Sequence, residues 1–198
     1  MKQINTRKYG QVKPERKIGE GNFRTCYTVA GYDDVCVKLV KSDFTLGRRM
    51  QAFLLHRQTN KQEFARYLNL PNEIKPYFNP IIEAERHYSI TTMPRDYDGS
   101  YSRSVFSHGK VSNPHFWQEV DKLYHYLLEH NLWYFDVLNG KNMFIRKESV
   151  HKWFPVIVDY KRLGPKGFPW QVHLWLRSEK RKKMARKYAK LLRRHKLA

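Results

Sequence analysis

Ile18-Gly19-Glu20-Gly21-Asn22-Phe23-Arg24-Thr25-Cys26-Tyr27 sets two glycines one residue apart between short apolar segments. That spacing predicts a strand, a tight turn and a second strand whose backbone can come close to a ligand. Glycine permits both the dihedrals and the approach. A plain hairpin reads the same way, so the segments C-terminal to it decide its meaning. In Asp34-Val35-Cys36-Val37-Lys38-Leu39-Val40, Val35, Val37 and Leu39 alternate with Cys36, Lys38 and Val40, which is the period of a strand. Lys38 then projects from the middle of an apolar strand, where an ammonium needs a partner for its charge. Phosphate oxygens would serve, and so would solvent at a sheet edge.

Further along, Lys61-Gln62-Glu63-Phe64-Ala65-Arg66-Tyr67-Leu68 is helical in character, and Glu63 could reach back to Lys38. Ser112-Asn113-Pro114 reads as a helix N-cap with proline at the first helical position. Phe116, Val120, Leu123, Leu127 and Leu128 then recur at helical spacing up to His130-Asn131. The helix ends in an aromatic turn from which Asp136 emerges, with Asn142 six residues later, ahead of the apolar strand Met143-Phe144-Ile145. A carboxylate there is a candidate base or a turn cap. Phe154-Pro155-Val156-Ile157-Val158 is a strand that stops at Asp159, an oxygen ligand of the kind Mg²⁺ takes beside phosphates. The stretch from Pro94 to Ser112 is loop-like and marks the expected boundary between an N-terminal β-rich lobe, residues 1–92, and a helical lobe, residues 93–198.

Composition narrows the class. Thirty-eight Lys and Arg against 18 Asp and Glu give the 198-residue chain a formal net charge of +20, which points to polyanionic company. Half of that excess lies in residues 177–198, where eleven basic residues meet one acid, Glu179. Met184, Tyr188, Leu191 and Leu192 fall on one helical face of this stretch, so it reads as an amphipathic helix, docked by its apolar stripe and basic outside. Apolar runs of at most four residues exclude a membrane-spanning helix, and the N-terminus has no apolar core of a secretory signal. Cys26 and Cys36 make neither a disulfide framework nor a four-ligand zinc site, so a reducing compartment is expected.

Taken in order, these five pieces resemble the protein-kinase-like signature of glycine loop, strand lysine, helix glutamate, catalytic loop and metal aspartate. More narrowly, IGEGNFRTCY, VCVKLV, the NMFI and PVIVDY strands and the HLWLRSEKRKKMARKYAKLL segment resemble the YrbL family. The likeness runs from about Lys17 to Leu192 and is loosest between Phe44 and Ser112. It implies an α+β, minimal protein-kinase-like fold of two lobes that binds ATP and Mg²⁺. Gly19 and Gly21 would lie over the phosphates, Lys38 on the α- and β-phosphates, and Glu63 on Lys38. Asp136 would be the catalytic base, with Asn142 and Asp159 on the metal. The chain departs from the pattern in several places. The third glycine is replaced by Arg24-Thr25, Tyr134-Phe135 stands where His-Arg would precede the aspartate, and the DFG-like triplet is Asp159-Tyr160-Lys161. Asn142 follows Asp136 one residue later than in kinases.

Thirty-nine residues follow Asp159, fewer than the large lobe with which protein kinases hold peptides. Small bacterial relatives of this fold phosphorylate sugars or lipopolysaccharide cores, so the resemblance implies phosphoryl transfer in the cytoplasm to a hydroxyl acceptor such as a sugar, a lipopolysaccharide core or a protein side chain. The basic C-terminal helix would meet an anionic membrane surface. A pseudokinase that holds nucleotide without turnover is the alternative, and a nucleic-acid-binding protein, for which no binding motif is visible, the third.

Overall fold

Strict alternation through Val35, Val37 and Leu39 makes the strand Tyr32–Val40 the centre of the first sheet, and two short turns set the strands around it. The computed structural model describes residues 3–21, 24–41, 59–134, 136–160 and 177–197. These divide into two compact units: residues 1–69 with 79–93, and residues 70–78 with 94–198. The division is therefore not a single cut in the sequence.

In the first unit, β1 (Ile4–Thr6) and β2 (Gly10–Val12) form a hairpin. β3 (Pro14–Glu20), β4 (Arg24–Val29), β5 (Tyr32–Val40), β6 (Ile81–Ala84) and β7 (Tyr88–Thr92) form an antiparallel sheet in the order β3-β4-β5-β7-β6. Gly31 closes the β4–β5 turn at φ +80°, a conformation that costs other residues and not glycine. One face of the sheet is apolar: Val29, Val35, Val37, Tyr88 and Ile90 pack with Val12 of the hairpin. Fully burying side chains of this kind is worth about 1.5–3 kcal/mol each. The helix expected around Glu63 is α1 (Thr59–Leu68), and it packs on β6 and β7.

The second unit holds β8 (Arg103–Ser104), β9 (Met143–Lys147) and β10 (Trp153–Ile157) in an antiparallel sheet ordered β10-β9-β8. Its helices are the single turn α2 (Val105–His108), α3 (Pro114–Glu129) and α4 (Arg177–His195). Asn113 is the cap of α3, its Oδ1 accepting from the Phe116 N–H at 2.9 Å, and Pro114 opens the helix. Phe116, Val120, Leu123 and Leu127 are fully buried, as their spacing predicts, and Trp117 and Tyr124 join them. The helix stops at His130, and Asn131 turns the chain away at φ 56°. In α4, Met184 and Leu191 are buried, while Tyr188 stacks on Tyr124 at 4.1 Å and donates to Asp121 at 2.7 Å. No described helix is long and apolar enough to cross a membrane.

A 3-10 turn at Lys75–Tyr77 is tied to α3 by a buried carboxylate. Glu119 accepts from Tyr77 Oη at 2.6 Å and from Lys122 Nζ at 2.6 Å. Burial pushes the Glu119 carboxyl up, but those two hydrogen bonds and the Lys122 charge outweigh it, so the group sits below its usual value of 4.5. A carboxyl lowered by folding stabilises the folded state above its unfolded pKa and loses that contribution as pH falls through its folded value. Unfolding of the wild type in urea should therefore show an acid loss below about pH 4.5 that Glu119→Gln reduces. Equal acid limbs in the two proteins would refute the assignment.

Candidate functional site

The face of the first sheet opposite the apolar core is polar, and strand register explains why. Successive side chains point to opposite faces, so Arg24 and Cys26 of β4 share a side. Cys26 lies opposite Lys38 of β5, and Lys38 and Cys36 lie opposite Ser89 and Thr91 of β7. Six side chains able to hydrogen-bond thus occupy one surface. Cys36 Sγ and Thr91 Oγ1 are 3.1 Å apart. The Cys26 thiol donates to Cys36, which holds Cys36 below the usual thiol range against its burial, with help from the Lys38 charge, and pushes Cys26 above it. Ser89 Oγ, opposite Lys38, is buried and has no hydrogen-bond partner among the described residues. A buried hydroxyl in that state suits a polar ligand better than an apolar one.

The glycine turn stands at the edge of this face. The Gly21 N–H donates to the Arg24 carbonyl at 2.8 Å, closing β3 onto β4. A Cβ on Gly19 would meet Cys26 Cβ at 3.7 Å, and one on Gly21 the Arg24 carbonyl at 3.6 Å, both ordinary contacts. The hairpin itself therefore accepts larger residues at both positions. Between them, Glu20 is bridged by Lys17 at 2.5 Å and by Lys41, and these pairs lower its carboxyl to about 2.

Arg24 stands where the sequence pattern lacks its third glycine. Its Nη1 donates to Glu63 Oε2 at 2.5 Å and to Asn60 Oδ1 at 3.0 Å. Arg24 is 5% exposed and Glu63 1%. Glu63, expected on Lys38, therefore carries a charge partner that sequence reading passed over, and the pair fastens the glycine turn to α1. Lys38 lies on the face that α1 covers, two strand positions from Cys36. Removing one member of a buried pair leaves an uncompensated charge, at a cost of about 3–5 kcal/mol. Glu63→Gln should show a loss of that order in urea denaturation, and joint replacement, Arg24→Met with Glu63→Leu, should recover most of it. Equal losses in the single and double variants would disprove the pairing as a source of stability.

In the second unit the residues expected to act together do converge. Asn142 precedes β9, and its Nδ2 donates to the backbone carbonyls of Asp136 at 3.2 Å and Asp159 at 3.3 Å. The Asn142 carbonyl accepts from the Val158 N–H at 2.9 Å, so the two segments are tied by backbone as well. The extra residue between Asp136 and Asn142 is absorbed by a tight turn, in which the N–H groups of Asn142 and Met143 both donate to the Asn139 carbonyl. Asn142 Oδ1 accepts no hydrogen bond among the described residues. With the Asp159 carboxylate it offers hard oxygen donors of the type Mg²⁺ takes. Phe78 backs both segments: its ring meets Tyr134 edge-on at 6.1 Å and Tyr160 at 5.0 Å. Lys161, the last residue of the DFG-like triplet, lies outside the described residues.

Lys187 corrects an expectation. The sequence pattern puts it on the outward basic face of the C-terminal helix, yet its Nζ lies 3.3 Å from Asp136 Oδ1 and its side chain is 31% exposed. Phe78 sits in the stretch where the family likeness is loosest, and nothing in its local sequence marks it. Lys187 is legible only through its helical phase, three residues after Met184.

No protein-family model matches the chain, and no curated protein matches it. Solved structures do. The Rio2 kinase from Chaetomium thermophilum matches over 92% of this chain and 57% of its own, with a TM-score of 0.62 and 17% sequence identity. The same enzyme as an ADP/Mg²⁺-phosphoaspartate complex matches over 91% of this chain and 54% of its own, with a TM-score of 0.64 and 17% identity. The chain thus spans little more than half the length of the structures it matches, and the YrbL likeness rests on the sequence motifs alone. The fold of the chain is thus a minimal protein-kinase-like α+β fold.

Proposed function

We propose that the chain binds ATP with Mg²⁺ and transfers the terminal phosphoryl group to a hydroxyl acceptor. The observation that carries this reading is the Asn142 side-chain amide, which ties the segments of the candidate base and the candidate metal ligand. Gly19 and Gly21 admit phosphates close to the backbone, in a hairpin that would accept side chains there. Lys38 meets the α- and β-phosphates from its strand, and Glu63 holds the start of β4 in the same unit to α1. Asn142 and Asp159 hold Mg²⁺, which supplies neutralising charge to the phosphate oxygens. Asp136 takes the proton of the acceptor hydroxyl as the new O–P bond forms, the β–γ bridging bond breaks and ADP departs. Such chemistry is mostly positioning and charge stabilisation. The acceptor is a hydroxyl of a sugar, a lipopolysaccharide core or a protein.

Calorimetric titration with Mg·ATP tests the site. Lys38→Ala and Asp159→Ala should each weaken binding, while Asp136→Asn should keep the affinity and slow turnover by about 10²–10⁴-fold. Wild-type affinity in both alanine variants would sink the assignment. Tight binding with no transfer to any acceptor would favour the pseudokinase reading.

The outward face of α4 supports a second part of the proposal, association with an anionic membrane surface. Lys182, Arg186 and Lys190 are exposed, whereas the apolar residues Met184 and Leu191 are buried. The attraction is then electrostatic, about 1 kcal/mol per cation near the surface, and screened over about 8 Å at physiological salt. Changing these three cations to Gln should reduce co-sedimentation with anionic liposomes, and added salt should do the same. Unchanged lipid binding would leave α4 a packing helix, and tighter binding to RNA at equal salt would favour the nucleic-acid reading.

A further inference from the structure

The loop that carries Asp136 is backed along its length by α4, and the two segments meet in register. Lys180 Nζ lies 5.9 Å from the centre of the Trp133 ring. Lys187 Nζ lies 3.3 Å from Asp136 Oδ1. His195 packs on Gly140 so closely that a Cβ there would come within 3.0 Å of its Nε2. Residues 180, 187 and 195 are spaced by about two helical turns and so share a face. They meet residues 133, 136 and 140 in the same order.

The helix cannot slide along this loop. Tyr188 is fixed by its 2.7 Å hydrogen bond to Asp121 and its stack on Tyr124. At the far end the Val111 N–H donates to the His195 carbonyl at 2.7 Å, and the His195 ring bonds the Gly109 carbonyl at 2.9 Å. Lys187 is thus presented to Asp136 by a seated helix.

We propose that Lys187 is a positioning residue for phosphoryl transfer. It orients the Asp136 carboxylate toward the acceptor hydroxyl and makes α4 part of the reaction centre. The inference rests on the reading of Asp136 as the base. In phosphoryl transfer placement of the acceptor counts for more than base strength. A misplacement of about 1 Å at such a carboxylate can cost about 10²-fold in rate.

The test uses the full chain with γ-labelled ATP and Mg²⁺, following label transferred to the protein itself and phosphate released to water. Lys187→Met should lower kcat about 10–100-fold, leaving the Mg·ATP affinity within about twofold and the thermal midpoint unchanged. Lys187→Arg should restore most of the rate. Because Lys187 acts through Asp136, Asp136→Asn with Lys187→Met should be no slower than Asp136→Asn alone, as expected of residues that work as a unit. Wild-type kcat in Lys187→Met, or rate losses that multiply in the double variant, would overturn the positioning role while leaving the phosphotransfer reading intact. A wild type that binds Mg·ATP and neither labels itself nor hydrolyses it would overturn that reading, and this role with it.

Discussion

A single side-chain amide holds the second unit's polar residues together. Asn142 Nδ2 spends both of its hydrogens on backbone carbonyls, one at Asp136 and one at Asp159. Those carbonyls belong to segments that flank the paired strands β9 and β10, and the Val158 N–H bond to the Asn142 carbonyl adds a backbone tie. The fully buried Met143, at the start of β9, fixes the backbone from which the amide reaches out. A carboxamide suits the position for chemical reasons. It donates two hydrogens in one plane and keeps an acceptor oxygen, whereas a carboxylate donates nothing and an ammonium has no acceptor. The same residue can therefore stitch two chain segments with its nitrogen and present an oxygen to a cation.

The first unit solves a different problem, the burial of charge. Arg24 and Glu63 are nearly inaccessible, and taking both from water is costly unless the geometry is close and the remaining hydrogen-bonding capacity is used. Asn60 meets that second condition by accepting from the same guanidinium nitrogen. The consequence is mechanical. The strand β4 cannot move away from α1 at Arg24 without separating a buried pair. In this chain the link runs through an arginine, whose planar fork and permanent charge tolerate burial better than an ammonium does.

Both units are legible in the sequence wherever periodicity is strong. The alternation of Val35, Val37 and Leu39 marks β5, and the spacing of Phe116, Val120, Leu123 and Leu127 marks α3 with its Asn113–Pro114 start. Asp136, Asn142 and Asp159 stand out by their place after a helix or strand, and the irregular spacing of the first two becomes intelligible only with the turn at Asn139. Contacts made at long sequence separation escape such a reading. Arg24 pairs with Glu63 across 39 positions, and the Lys187–Asp136 contact spans 51. A period identifies which face of an element is buried, and it is silent on which distant charge will meet that face. Phe78 escapes because an aromatic in an irregular segment has no period at all.

The charge of α4 makes the same point within one helix. Lys and Arg recur so often between residues 177 and 196 that composition treats them as one basic surface. At about 100° per residue, Lys180, Lys187 and His195 fall within about 60° of the buried Met184, whereas Lys182, Arg186 and Arg193 fall near the opposite side. The first group meets Trp133, Asp136 and Gly140, and the second faces solvent. A helix that is basic all round can therefore perform two electrostatic tasks at once. Its inward cations work at short range beside a carboxylate, partly shielded from salt. Its outward cations act over a Debye length and weaken with ionic strength.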